Sequence, residues 1–312
     1  MVSVVISVYN GERYITEQLE SIKNQSVKPD EVIIQDDCST DSTVEVISNF
    51  IHTYGLNNWK LYQNTQNVGW QKNFMQALKK AEGDLIFLAD QDDIWKNNKL
   101  EKMLLRMEGN ESISVLASNL EPYYMDEAVD KSKNDEKMKN DGTVKKYEFT
   151  HKFLYVKRPG CVYCVRKEFV NKVSSFWFKD CPHDALLWCS ANVLGELYIY
   201  QEPLILFRRH ANNASSMEMT GLAKKRKDAE YYKTLWKALI MIKKQEIDKE
   251  NNNKNKIIEK VGRYCEYRRR FLNDRKLKYG IMLLGYLDCY YALKTYLADW
   301  AVVLFKNIKL KR

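Results

Sequence analysis

Four times within the first hundred residues, a stretch of strand length gives way to polar side chains and then to helical spacing. Val2–Tyr9 ends in Asn10-Gly11, and Ile15, Leu19 and Ile22 follow on one helical face. Glu31–Gln35 runs into Asp36-Asp37-Cys38-Ser39-Thr40-Asp41, after which Val44, Ile47 and Ile51 share a face. Trp59–Gln63 leads through Asn67 and Gly69 to a helix over Asn73–Ala81. The fourth run, Leu85–Ala89, precedes a helix over Lys96–Met107. Parallel neighbours need a crossover, so this alternation predicts an α/β fold, a parallel sheet with helices on both faces. Ligands of such sheets gather beyond the carboxyl ends of the strands, where each polar cluster falls.

The fourth unit, DLIFLADQDDIW over Asp84–Trp95, carries the densest chemistry. Its strand passes without a turn residue into Asp90, Gln91, Asp92 and Asp93. Three carboxylates so placed repel one another unless something positive sits among them. A divalent cation holding a diphosphate supplies that charge. The plainer alternative is an acidic loop capping the next helix.

The 312 residues suffice for one large α/β domain with an appendage, or for two domains, and 45% hydrophobic content excludes wholesale disorder. The net charge of +9 is unevenly spread. Residues 1–220 hold 26 Lys/Arg against 31 Asp/Glu, and residues 221–312 hold 24 against 10, which implies different partners for front and back. VSVVISVY directly after Met1 reads as a strand, not as a signal peptide. Seven cysteines at irregular spacing suggest reduced thiols in the cytosol. Cys161 and Cys164 lie in GCVYCVR, read as a strand; they would face opposite sides, as core cysteines and not a metal pair.

Further strands are expected over Ser114–Tyr124, Gly160–Arg166 and Leu197–Phe207, the last interrupted at Pro203 and delivering Arg208, Arg209 and His210. The charged insertion Met125–Gly142 is either a solvated loop or a flap over an acceptor. Pro182-His183-Asp184 opens an apolar helix, Ala185–Leu194. Three helices are expected after residue 220. On the last, Tyr279–Phe305, Asp288, Thr295, Asp299 and Lys306 form one polar stripe on an apolar surface. Its charges argue against a spanning segment. Either it packs in a solvent-facing bundle or it lies in a membrane interface, which the nearby Arg268–Arg270, Lys309, Lys311 and Arg312 favour. The pI of about 9.0 raises nucleic-acid binding as a rival, but no recognition motif accompanies it.

SVYNGE (Ser7–Glu12), QDDCSTDST (Gln35–Thr43), NVGWQKN (Asn67–Asn73) and ADQDD (Ala89–Asp93) occur in the order and spacing of glycosyltransferase family 2. The chain resembles that family over roughly residues 1–215. The resemblance implies a GT-A fold, a Rossmann-like mixed sheet flanked by helices, followed by a C-terminal α-helical extension. It implies a nucleotide-sugar half at 1–110, an acceptor half at 111–215 and a basic helical region at 216–312. The reaction implied is inverting transfer from a nucleotide-diphosphate sugar, with Mn²⁺ or Mg²⁺. DQDDIW, HDALL and EPLILFRRHANN further resemble bacterial rhamnosyltransferases of cell-wall or capsular polysaccharide synthesis. That implies dTDP-L-rhamnose as donor, with a UDP-hexose as the alternative, and a lipid-linked glycan acceptor. The enzyme would then sit in the cytoplasm, peripheral at the inner membrane face, without nucleic-acid partners.

Carried onto this sequence, the resemblance makes Asp92 the metal ligand, with His210 as a further one, and sets Asp90 against ribose or sugar. Residues two apart on a strand share a side, so Asp90 and Asp92 are expected to face one ligand together. Gln91 stands where a small residue is common and is expected to alter donor contacts. Asp184 becomes the general base, with helix capping as its plainer role, and His183 a group that orients it. Asp36 would accept the pyrimidine N3–H, Tyr9 and Glu12 lie beside base and ribose, and Asp37 is structural. Lys72, after Gly69, would reach the diphosphate. Trp95 or Trp70 would offer an apolar wall to a 6-deoxy sugar.

Overall fold

The computed structural model describes residues 1–125, 138–210, 221–245 and 252–305. The chain divides into two compact units. The first holds Met1–Tyr147, Lys157–Ala191 and Gly195–Ala211; the second holds Glu148–Val156, Asn192–Leu194 and Asn212–Arg312.

In the first unit, β1 (Val2–Val8), α1 (Ile15–Lys23), β2 (Glu31–Asp36), α2 (Thr43–Thr53), β3 (Trp59–Gln63), α3 (Trp70–Lys80) and β4 (Leu85–Asp90) alternate as the periodicity predicts. β1 pairs in parallel with β2 and β4, and β2 with β3. All six residues of β2 are buried, the mark of a strand covered on both faces. The chain continues through β5 (Ile94–Trp95), α4 (Lys99–Glu108), β6 (Val115–Tyr124), β7 (Val144–Lys146), β8 (Tyr163–Arg166), α5 (Lys167–Ser174), α6 (His183–Leu194) and β9 (Leu197–Arg209). The sheet order is β3-β2-β1-β4-β8-β6-β9-β5, with β7 on β9. β8 is antiparallel to β4 and β6, so the sheet is mixed.

Two expectations for this unit change. Gly160–Val162 is a 3₁₀ turn and only Tyr163–Arg166 is strand, because Cys161 turns inward against the acid loop after β4. β9 is continuous through Pro203, which its pairing with β6 absorbs by register shifts at Ser118/Asn119 and Asn119/Glu121. Residues 126–137 of the charged insertion lie outside the described residues.

The second unit packs α7 (Leu222–Lys244) on α8 (Asn252–Asp274); the Trp236 indole lies where a Cβ on Gly262 would stand, 2.4 Å away. The expected single helix Tyr279–Phe305 is instead α9 (Leu277–Met282), a 3₁₀ segment Leu283–Cys289 and α10 (Leu293–Leu304). Tyr286 leaves helical conformation, and Ala292 is extended at φ −150°. The polar stripe is split: Asp288 remains exposed, but Asp299 turns inward. Asp299 is fully buried, taking Arg268 Nε at 2.7 Å, Lys225 Nζ at 2.6 Å and the Tyr290 hydroxyl at 3.2 Å. Asp288 accepts from Lys260 at 2.8 Å, and His151 Nδ1 lies 3.1 Å from it. Lys306 lies outside the described residues. Among the described residues no helix is long and apolar enough to cross a membrane.

Candidate active site

The loops that leave β1, β2, β3 and β4 meet at the carboxyl edge of the sheet, and side chains bind them to each other. Asp36 is buried at the end of β2, where its carboxylate accepts Ser39 N–H at 3.0 Å and Ser39 Oγ–H at 2.5 Å. Ser39 Oγ also accepts the N–H of Asn10, whose own side chain accepts Thr40 N–H at 2.8 Å. Tyr9 is 44% exposed at the end of β1. Glu12 accepts the Ser42 N–H at 2.9 Å, at the start of α2. Asp37 is fully occupied by backbone and amide donors, taking Val68 N–H, Gly69 N–H and Asn64 Nδ2 within 2.9 Å. Gly69 has φ +86°, a left-handed conformation that suits glycine, and it starts α3, placing Lys72 exposed on the first turn.

The acid loop follows β4. That strand ends at Asp90, so alternation along a strand does not pair Asp90 with Asp92 as expected. A tight turn brings them together, and Gln91 fixes it. Its Oε1 accepts Tyr9 N–H at 2.7 Å and its Nε2 donates to Tyr9 C=O at 3.0 Å. A Cβ on Gly11 would meet Gln91 Oε1 at 2.6 Å, so the clamp requires glycine there. Burial, with the Asp92 and Asp184 charges, pushes Asp90 up to about 7. Asp93 is wholly buried and accepts Arg208 N–H at 3.1 Å; burial and the neighbouring carboxylates push it well above the usual range.

Arg208 is the buried cation beneath this loop. Its Nε donates to Asp92 C=O at 2.7 Å and its Nη2 to Glu17 at 2.7 Å, with the guanidinium over the Tyr14 ring. His210 sets Nε2 2.8 Å from Asp92 Oδ2, and its ring lies 4.7 Å from that of Tyr14. Cys161 approaches from the other side, its sulfur and oxygens of Asp90 and Asp93 lying within 4.8 Å of one another. Burial and those carboxylates raise its thiol well above the usual range, so it stays protonated beside oxygen donors. Lys99 is buried too, donating to Cys161 C=O at 2.8 Å and standing over the Trp95 ring; burial lowers it to about 7.

α6 begins at His183, which puts Asp184 in its first turn. Asp184 accepts the Ala185 N–H at 2.7 Å, and burial raises its carboxyl to about 6. His183 does not hydrogen-bond Asp184. Its ring stacks on Phe74 at 3.7 Å and both nitrogens are buried without a partner among the described residues. Burial drives that imidazole down to about 3, so it is neutral. Trp95 is 3% exposed and belongs to the core, whereas Trp70 is 42% exposed and meets His183 edge-on.

The model of one family, glycosyl transferase family 2, matches residues 3–172. The chain belongs to glycosyl transferase family 2. Over 70% of its length it is 29% identical to the dTDP-rhamnosyl transferase RfbG of Shigella flexneri, covering 76% of that protein. An uncharacterized glycosyltransferase of Haemophilus influenzae is 30% identical over 74% of each chain. Among solved structures, S. aureus TarS 1–349 in complex with UDP-GlcNAc matches 96% of this chain and 81% of its own, with a TM-score of 0.62 at 19% identity. A mannosyltransferase of Pyrobaculum calidifontis, in complex with GDP-Man and Mn²⁺, matches 98% and 88% at a TM-score of 0.55 and 14% identity. At those identities the likeness bears on the fold, which is GT-A.

This family 2 glycosyltransferase, a nucleotide-sugar enzyme, buries Asp36 and leaves Asp90 and Asp184 half-buried. Gln91, Arg208 and Asn73, which donates to Ser7 Oγ and Gln35 C=O, were not legible as site-builders. Each works through backbone or side-chain partners far away in sequence. Gln91→Ala is expected to raise the donor KM severalfold with little change in kcat, since two bonds of about 0.5–1.5 kcal/mol each hold the Tyr9 turn. Steady-state kinetics across a donor titration measure it; an unchanged KM would mean that the turn holds itself.

Proposed function

We propose that this glycosyltransferase moves a sugar with inversion from a pyrimidine nucleoside diphosphate to a hydroxyl of a lipid-linked glycan at the cytoplasmic membrane face. The observation that carries the reading is the Gly160-Cys161 turn: a Cβ on Gly160 would lie 3.1 Å from the Asp184 Cβ, and the Cys161 sulfur lies within 4.8 Å of oxygens of Asp90 and Asp93 in the loop that also holds Asp92. A base for the acceptor and an acid loop for the diphosphate thus share one site. Asp184 removes the acceptor proton, and its pKa of about 6 suits a base working near neutrality. Asp36 accepts the N3–H that uracil and thymine share, beside Tyr9 and Glu12. Asp90 faces ribose or sugar, and Lys72 and the N–H groups after Gly69 lie toward the diphosphate.

The oxygen donors of Asp92 and Asp90, with the His210 imidazole 2.8 Å from Asp92, fit a hard divalent cation; Asp90, Asp93 and Cys161 form a separate, tighter group whose thiol is protonated. Asp92, with Asp90 beside it and His210 within reach, would hold Mn²⁺ or Mg²⁺. When bound, that ion supplies positive charge to the departing diphosphate.

The dTDP-L-rhamnose donor is supported by the relative named as a dTDP-rhamnosyl transferase, and exposed Trp70 offers an apolar wall for a 6-methyl group. A UDP-N-acetylhexosamine is the second reading. It is supported by the poly(ribitol-phosphate) β-N-acetylglucosaminyltransferase TarS of Staphylococcus aureus, 38% identical over 29% of this chain. Incubating the protein with Mn²⁺ and a panel of dTDP- and UDP-sugars, and following nucleotide release, decides between them. Preference for dTDP-L-rhamnose is expected, with leakage of about 1% to other sugars because an apolar pocket rejects a hydroxyl only about 10²-fold. Preference for a UDP-sugar overturns the rhamnosyl reading. Asp92→Asn in the same assay should abolish metal-dependent donor affinity; unchanged affinity counts against Asp92 as a ligand.

A further inference from the structure

The last segment of the helical unit buries one carboxylate, Asp299, while leaving a set of large aliphatic side chains exposed. Asp299 is fully buried against Arg268 and Lys225, whereas Asp288 stays exposed and pairs with Lys260. Leu283, Val302 and Val303 pack inward, but a second set of aliphatic side chains is exposed. Leu277 and Ile281 stand one turn apart on α9, with Leu284 just beyond; Leu293, Leu297 and Leu304 share a face of α10. Ile281, Leu284, Leu293, Leu297 and Leu304 are each between 52% and 61% exposed.

The two helices are packed neighbours, which brings their exposed aliphatic faces to one side of the helical unit's terminal segment. The Tyr296 hydroxyl donates to Gly280 C=O at 3.1 Å, and a Cβ on Gly280 would meet Trp300 at 2.6 Å. Soluble monomers seldom leave a contiguous apolar patch of this kind uncovered. Exposed Arg275, Lys276, Lys278 and Lys294 flank these residues along the chain, with one exposed acid, Asp274, just before them. Between residues 275 and 305 the only acids are the two already paired, and beyond Phe305 the sequence adds Lys306, Lys309, Lys311 and Arg312 with no acid.

We propose that the exposed face of α9 and α10 docks on an anionic lipid bilayer, its leucines entering the acyl boundary and its lysines lying among the headgroups. Charge complementarity selects this occupant. Lysine is depleted from the cores of protein interfaces, yet its long stem suits the headgroup level beside inserted aliphatic residues. The proposal concerns a surface remote in sequence from the acid loop and does not rest on the donor or base assignments.

The test uses the full chain in vesicle flotation. With phosphatidylcholine vesicles carrying about a third phosphatidylglycerol, wild-type protein should float, and high salt should weaken that binding. Combining Ile281→Ser, Leu293→Ser and Leu297→Ser should lower partitioning about tenfold or more, since three exposed aliphatic groups are lost. Combining Lys276→Gln, Lys278→Gln and Lys294→Gln should lower it about fivefold per lysine, on anionic vesicles only. Circular dichroism and thermal melts confirm folding; if the serine variant melts early, the lysine variant alone decides. Flotation of the variants equal to wild type overturns the proposal. So does a wild-type chain that ignores vesicles and sediments as a dimer which the serine substitutions dissociate; the face would then join two copies of this chain.

Discussion

Asp184→Asn is expected to bind donor as the wild type does and to transfer sugar about 10²–10⁴-fold more slowly, because only proton removal from the acceptor is lost. The asparagine Oδ1 can still accept the Ala185 N–H, so the first turn of α6 keeps its bond. Stability should move the other way. Burial raises the Asp184 carboxyl to about 6, above its unfolded value of about 3.9. A group raised on folding favours the fold fully below its unfolded pKa, and that contribution is lost as pH rises through the folded value. At about pH 8 the wild type therefore carries an unfavourable buried charge that asparagine removes, and the variant should melt at a higher temperature. The wild-type transfer rate should fall as pH drops below about 6, where the base becomes protonated. Single-turnover transfer and calorimetry across pH measure both effects. Near-wild-type transfer with an unchanged melt would reduce Asp184 to a helix cap.

Asp299→Ala should destabilise the helical unit by about 3–5 kcal/mol, since it strands buried Arg268 and leaves Lys225 without its carboxylate. Burial alone would raise the Asp299 carboxyl, but Arg268 and Lys225 outweigh it and hold it below the usual range. A depressed carboxyl contributes stability above its unfolded value of about 3.9, and the contribution is lost as pH falls through the lower folded value. Wild-type helical signal should therefore become acid-labile below about pH 4, and the variant, already lacking that term, should change less over the same range. Thermal melts followed by circular dichroism measure it. A loss below about 1 kcal/mol would place Asp299 among ordinary surface pairs and sink the claim.

What could be read in the sequence follows from the range of the forces involved. β1, β2 and β4 were legible because each is an apolar run buried on both faces, and their polar ends locate Asp36 and the acid loop; β3, half exposed, was legible from its place in the strand–helix alternation. β5 and β7, two and three residues long, have no period to detect and exist only because β9 offers them an edge. The inward turn of Asp299 could not be read because its cations come from 31 and 74 residues earlier. On a helical wheel the same residue looks like a solvated stripe. Gln91 was read for its side chain's reach toward a sugar, whereas it spends both amide atoms on Tyr9. His183 was read as orienting its neighbour, but its stacking on Phe74 turns the ring away from that bond.

The bond from Arg208 N–H to Asp93 spans 115 residues and has a consequence for the order in which the protein is made. A ribosome releases β4 and the acid loop long before β9 exists. Until then Asp93 has neither its backbone donor nor the guanidinium that braces Asp92 from below. Contacts of this separation form late, because the intervening chain must first be closed into a loop. The nascent amino-terminal half thus carries the acid loop without its brace, and a gene split between α4 and β6 would yield a first fragment in the same condition. The acid loop gains both partners only when the strand carrying Arg208 is in place.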